Sequence, residues 1–166
     1  MQDDKALIRE SIEVDVPVST AYNQWTQFET FPVFMEGVEQ VQQVDDRRLH
    51  WQVEIGGRRL DWEAEIINQE PDRRIAWKSL QGSRNAGTVT FKPLSERRCS
   101  ITLELVYEPQ GLIEYLGDLL GVVRRRARVD LERFKCFIET QRTETGAWRG
   151  RITFRPRIGR ETPDLR

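Results

Sequence analysis

Residues 111–140 read GLIEYLGDLLGVVRRRARVDLERFKCFIET, and the fold turns on this stretch. Leu112, Leu116, Leu120, Val123, Ala127, Leu131, Phe134 and Ile138 recur at steps of three or four residues, which sets them on one stripe of an α-helix. Arg124, Arg125, Arg128, Glu132, Arg133 and Glu139 fall on the other face. Roughly thirty residues, at about 1.5 Å each, make a helix about 45 Å long. A stripe of that length needs one continuous apolar partner. Nearly everything upstream reads as β-strand, so that partner is expected to be a sheet.

The most legible upstream piece is a hairpin. Residues 49–55 and 58–66 alternate between apolar and polar, and Gly56-Gly57 between them fits a two-residue turn that requires positive φ. This register sets Trp51 against Trp62 and Val53 against Leu60 on one face. On the other it sets His50 against Glu63, Gln52 against Asp61 and Glu54 against Arg59. A slip of one residue would destroy both faces. Alternation also predicts strands over residues 6–16, 38–44, around Ile75 and Trp77, over 87–91 and over 101–107. Pro17 ends the first strand, and Ser19 is expected to N-cap a short helix through Ala21, Tyr22 and Trp25. Phe31-Pro32-Val33-Phe34-Met35 then opens a second short helix or turn. Residues 1–145 read as one domain. Residues 146–166 read as a basic tail, with a short strand conceivable near Ile152 and the rest expected to be mobile.

Composition narrows the function classes. The 166 residues suffice for a single domain with a sizeable core. The chain carries 26 basic and 27 acidic residues, a balance with no overall pull toward nucleic acid or an anionic membrane. No run of about 18 apolar residues is present to span a bilayer, and residues 1–5 lack an apolar signal core. Cys99 and Cys136 are unclustered, which fits reduced thiols and a cytoplasmic protein. No Gly-rich phosphate loop, nucleophilic serine motif, redox cysteine pair or Cys/His metal spacing occurs, so neither cofactor nor metal is expected.

The element order is strand, two short helices, six strands and a long helix. It matches the helix-grip fold: an α+β architecture in which a curved antiparallel sheet of about seven strands wraps a long C-terminal helix. The resemblance extends to residues. Val16-Pro17-Val18, Trp25, and residues 31–38 (FPVFMEGV) are similar to the opening signature of the polyketide cyclase/dehydrase family. So are residues 71–77 (PDRRIAW), 85–91 (NAGTVTF) and 130–135 (DLERFK). Within the wider START and birch-pollen-allergen-like superfamily, the chain most resembles coenzyme Q-binding START domains. The resemblance implies an apolar cavity between sheet and helix, able to hold a quinone, polyketide or lipid. It also implies an alternative, a cyclase or dehydrase that holds a bent polyketone chain against polar groups for enolisation and dehydration.

The cavity wall is expected to comprise Trp51, Trp62, Trp77, Phe91 and Leu103 from the sheet, with Phe34 and Met35 from the short helices. Leu116, Gly117, Leu120 and Gly121 are expected from the long helix. Each glycine there costs about 1 kcal/mol relative to alanine, and leaves room either for the sheet or for a ligand. Polar candidates for catalysis are Tyr107 and Tyr115, then Tyr22 and Arg58. His50, the one histidine, and the carboxylates Asp61, Glu63 and Glu65 belong to the charged outer face, where salt-bridged strand surface is the simpler reading. The basic cluster Arg124, Arg125, Arg126 and Arg128 leaves open a protein-interaction role or transient membrane-surface contact, with no nucleic-acid motif beside it.

Overall fold

The computed structural model describes residues 6–55, 57–82, 85–107 and 116–153. Seven antiparallel strands form one sheet in the order β1-β7-β6-β5-β4-β3-β2. They are β1 (Ala6–Val14), β2 (Val38–Gln43), β3 (Arg48–Ile55), β4 (Arg58–Glu70), β5 (Arg74–Gly82), β6 (Asn85–Ser95) and β7 (Arg98–Tyr107). Consecutive strands from β2 to β7 are neighbours, and β1 returns to pair with β7. Between β1 and β2 lie α1 (Val18–Trp25) and a 3-10 helix (Phe28–Val33). After β7 comes α2 (Leu116–Gln141), 26 residues long.

The β3–β4 hairpin pairs as its alternation predicts, with Trp51 opposite Trp62 and Val53 opposite Leu60. Gly57 in its turn has φ +79°, a conformation that glycine adopts without penalty. Farther along β4 the register with β5 shifts between Ile66 and Asn68. A bulge of this kind changes which residues face inward: Leu60, Trp62, Ala64 and Ile66 share the concave face, and beyond the shift it is Gln69 that is buried.

Ser19 does not cap α1. Pro17 occupies that position with φ −57° and ψ 148°, and its carbonyl accepts the Ala21 N–H at 3.2 Å. The N-cap therefore lies two residues before Ser19, whose hydroxyl falls inside the first turn. The second short helix is a 3-10 segment that begins at Phe28 and takes Pro32 inside it.

The described part of the predicted stripe of α2 faces inward. Ala127, Leu131, Phe134 and Ile138 are buried, and Val123 is half-buried. Phe134 is the keystone of the core's closed end, with its ring 5.0 Å from that of Trp25 and 5.2 Å from that of Phe34. Polar ties fix the helix to β1: Lys135 donates to the Glu13 carbonyl at 2.9 Å, and Glu139 accepts the Asp15 N–H at 2.9 Å.

Residues 143–153 fold back over α1. Gln24 accepts the Thr145 N–H at 2.9 Å, and Thr26 accepts the Trp148 N–H at 3.0 Å. Arg149 makes a two-pronged pair with Asp72, at 2.8 and 3.0 Å, and reaches Asn23 at 2.7 Å. The expected short strand reduces to a single antiparallel bridge between Ile152 and Gln69. Cys99 is a free buried thiol, pushed up to about 11 by burial, and Cys136 is free and exposed.

Candidate functional site

Toward the end of the sheet that carries the β3–β4 turn, α2 crosses the concave face without filling it. A cavity of about 190 Å³ lies between them. β3 contributes Leu49, Trp51 and Val53, and β4 contributes Leu60, Trp62 and Ile66, each a set of alternate residues on one sheet face. Ile75 and Trp77 come from β5, and Leu103 and Leu105 from β7. Trp25, Phe28 and Phe31 close the deep end, and Val123, Ala127 and Leu131 of α2 form the roof.

The tryptophans give the cavity its shape. The rings of Trp51 and Trp62 are 5.9 Å apart and 7° from parallel. Trp77 sits opposite Gly87 on β6. A Cβ on Gly87 would collide with that indole, so the glycine is what lets the ring lie over β6. The indole nitrogens of Trp51 and Trp62 are buried without a protein acceptor. Leaving such a donor unpaired costs about 1–3 kcal/mol. A void forfeits up to about 24 cal/mol per Å³ relative to solid packing. For about 190 Å³ the loss would reach about 4.6 kcal/mol if the void were fully enclosed, against a domain's net stability of about 5–15 kcal/mol. This hollow is the candidate site.

Besides Asn85 of β6, three polar residues of the lining stand together. Asp130 and Arg126 sit one turn apart on α2, and Glu36 faces them just before β2; all three line the cavity. Asp130 Oδ1 accepts the Glu36 N–H at 3.1 Å. Arg126 Nη1 donates to the Glu36 carbonyl at 3.2 Å and to the Glu54 carbonyl. Arg133 pairs with the Glu36 carboxylate at 3.3 Å. The guanidinium fills the space where a side chain on Gly37 would stand, and Gly37 has φ +86°. Burial pushes the Asp130 carboxyl up to about 7, against the opposing pull of the Glu36 N–H, Arg126 and Arg133. Among the described lining residues, Asp130 is the one with a pKa raised toward neutrality.

Of the expected wall residues, Met35, Trp51, Trp62, Trp77 and Leu103 line the cavity. Phe34 and Phe91 do not. Phe34 packs on Phe31, Phe134 and Phe137, and Phe91 on Tyr22 and Trp25, so both belong to the solid part of the core. Gly121 is exposed and outside the lining, and nothing in the structure explains its choice over alanine. The surroundings of Tyr107, Leu116, Gly117 and Leu120 lie outside the described residues, as does Tyr115 altogether. Tyr22 is fully buried away from the cavity; its hydroxyl accepts from Gln69 at 3.0 Å, and burial raises its pKa. Arg58 is exposed. His50 lies on the outer face, where it meets Asp61 at 2.7 Å rather than Glu63 directly across. Among the described residues no group of three His, Cys, Asp or Glu side chains is placed to hold a metal ion, and no helix is long and apolar enough to cross a membrane. Sequence reasoning did not assign Asp130, Arg126, Glu36 or Gly87 to the cavity; it read Arg126 as part of an outer basic cluster.

A seven-stranded antiparallel sheet gripping a C-terminal helix over an apolar hollow defines a START-like helix-grip protein. The ZhuI aromatase/cyclase from Streptomyces sp. R1128 superposes with a TM-score of 0.73 at 14% identity, covering 87% of this chain and 99% of its own. A START superfamily protein from Mycobacterium smegmatis superposes with a TM-score of 0.71 at 14% identity, covering 81% and 98%. At these identities the likeness is one of fold. Residues 14–136 match the polyketide cyclase / dehydrase and lipid transport family, and the chain belongs to it. It is also 49% identical over 146 residues to an uncharacterized 17.2 kDa protein encoded in the melC2-rnhH intergenic region of Streptomyces lincolnensis, covering 87% of this chain and 97% of that one.

Proposed function

We propose that the protein binds a hydrophobic small molecule in the cavity beneath α2 and acts by sequestering or carrying it. The observation behind this reading is the hollow of about 190 Å³ walled by Trp51, Trp62 and Trp77. Apolar burial there yields roughly 25 cal/mol per Å², with no reaction required. The family's association with both cyclisation and lipid transport supports it. Native mass spectrometry of protein purified from its own cells tests it. A stoichiometric apolar passenger is expected, and a cavity found empty in repeated preparations counts against the reading.

One observation favours a second reading, a cyclase or dehydrase acting in the same cavity. The Asp130 carboxyl, at about 7, can take a proton from an enolisable carbon and return one to a leaving hydroxyl. Turnover of an aromatic polyketide substrate by Asp130→Asn, Tyr107→Phe and Tyr115→Phe tests it. The enzyme reading expects Asp130→Asn to lose about 100-fold or more. An unchanged rate in all three variants removes these groups as acid or base.

A further inference from the structure

We infer that the cavity's ligand is a phenolic compound of one or two fused rings, its ring system against Trp51, Trp62 and Trp77 and its hydroxyl donating to Asp130. The inference rests on the ligand-binding reading and narrows it.

Size sets the first limit. A closed apolar cavity of about 150 Å³ accommodates benzene. The hollow here is about 190 Å³, which suits one substituted ring or two fused rings. A polyprenyl tail, a phospholipid or a tetracyclic skeleton would have to lie largely outside it. Shape sets the second limit. Three indoles on adjacent strands, two of them 7° from parallel, present flat π surfaces to a planar ring.

Polarity sets the third limit. Asp130 Oδ1 is committed to the Glu36 N–H, and among the described residues no donor is seated on Oδ2. Arg126 commits Nη1 to two backbone carbonyls. At this edge of the hollow Asp130 Oδ2 is therefore an acceptor within reach of a ligand donor. A hydroxyl that donates to it makes a charge-assisted hydrogen bond in a water-poor setting. A ligand carboxylate would instead meet the Asp130 carboxylate as a like charge, with Arg133 already paired to Glu36 and Arg126 Nη1 already donating to two backbone carbonyls.

Isothermal titration of the full chain at about pH 8 with four probes tests the inference: naphthalene, 2-naphthol, 2-naphthoate and 1-hydroxypyrene. We expect 2-naphthol to bind at least about tenfold more tightly than naphthalene, the difference one charge-assisted hydrogen bond makes. Both 2-naphthoate and 1-hydroxypyrene should bind more weakly than 2-naphthol. Asp130→Asn should remove the preference for 2-naphthol over naphthalene. The wild-type series decides the matter even if that variant folds poorly. Equal affinity for naphthalene and 2-naphthol, or tighter binding of 2-naphthoate or 1-hydroxypyrene, overturns the inference. If no probe binds while native mass spectrometry finds an apolar passenger, the inference fails and ligand binding stands. If no probe binds and no passenger is found, both fail.

Discussion

The two ends of the space beneath α2 are built from the same kinds of residue to opposite purposes. Beneath α1 the rings of Trp25, Phe34, Phe91 and Phe134 meet edge to face, and the returning segment ties α1 down through Gln24, Thr26 and Arg149. Toward the β3–β4 turn, Trp51, Trp62 and Trp77 bound a hollow, and two indole N–H groups lack a protein partner. Aromatic content does not separate core from site. The difference lies in whether opposing elements supply a ring to fill the gap. Among the described residues, α2 presents Phe134 at the closed end, and Val123 and Ala127 over the hollow.

The sharpest way to break this contrast is to truncate a ring at each end. Phe134→Ala should cost about 3–5 kcal/mol, because a fully buried ring leaves a void its neighbours cannot refill. Trp62→Ala, which widens an existing hollow, should cost less than about half of that yet abolish retention of an apolar passenger. Urea denaturation and native mass spectrometry of both variants check the pair. Gly37→Ala comes next. It forces a left-handed φ on alanine and drives its methyl into the Arg126 guanidinium, so a loss of about 2 kcal/mol is expected by the same denaturation assay. A second change, Arg126→Ala, should return only part of the loss, because the left-handed φ and the approach of the methyl to the Glu54 carbonyl remain.

The Asp130 carboxyl yields a smaller, pH-dependent effect. Its folded value is raised to about 7, from about 3.9 when unfolded. Between these values the folded state holds a proton that the unfolded state has released, so stability falls as pH rises through this window and is level above it. Asparagine has no such slope. The groups facing this carboxyl are Glu36, Arg126 and Arg133, and both cations moderate the effect. Asp130→Asn should therefore gain about 1–2 kcal/mol on the wild type between about pH 4.5 and about pH 8. Parallel pH profiles of the unfolding midpoint read this directly. Smallest is Arg149→Ala, expected to cost about 1 kcal/mol, since its pair with Asp72 is half exposed. Faster amide exchange over residues 144–152, with none at Trp62 or Trp77, would show that the strap serves only the closed end.

Much of this contrast was legible before any coordinates. Gly56-Gly57 pins the hairpin parity, so Trp51 and Trp62 were placed on the inner face with their partners correct. The helical period did the same for Ala127, Leu131, Phe134 and Ile138. Parity tells which face a residue takes but not where along that face the opposing element stops filling space, and so Phe34 and Phe91 were read as wall when they are packed core. The bulge between Ile66 and Asn68 resets parity without a glycine or proline to announce it. Glu36 stands 94 residues from Asp130 and 90 from Arg126 in the chain, and meets them only once α2 is docked. In the sequence, Asp130 is one more acid on a helix already rich in charge. Asn23, Gln24 and Thr26 likewise look like exposed polar residues of a short helix until residues 144–149 reach them.

The most direct test of the central claim is a crystal structure under xenon pressure, since dry apolar voids take up xenon. The account predicts a well-occupied xenon site between Trp62, Trp77 and Val123, and none among Trp25, Phe91 and Phe134. A hollow closed by inward rotation of the indoles, or xenon bound at the closed end instead, would contradict it.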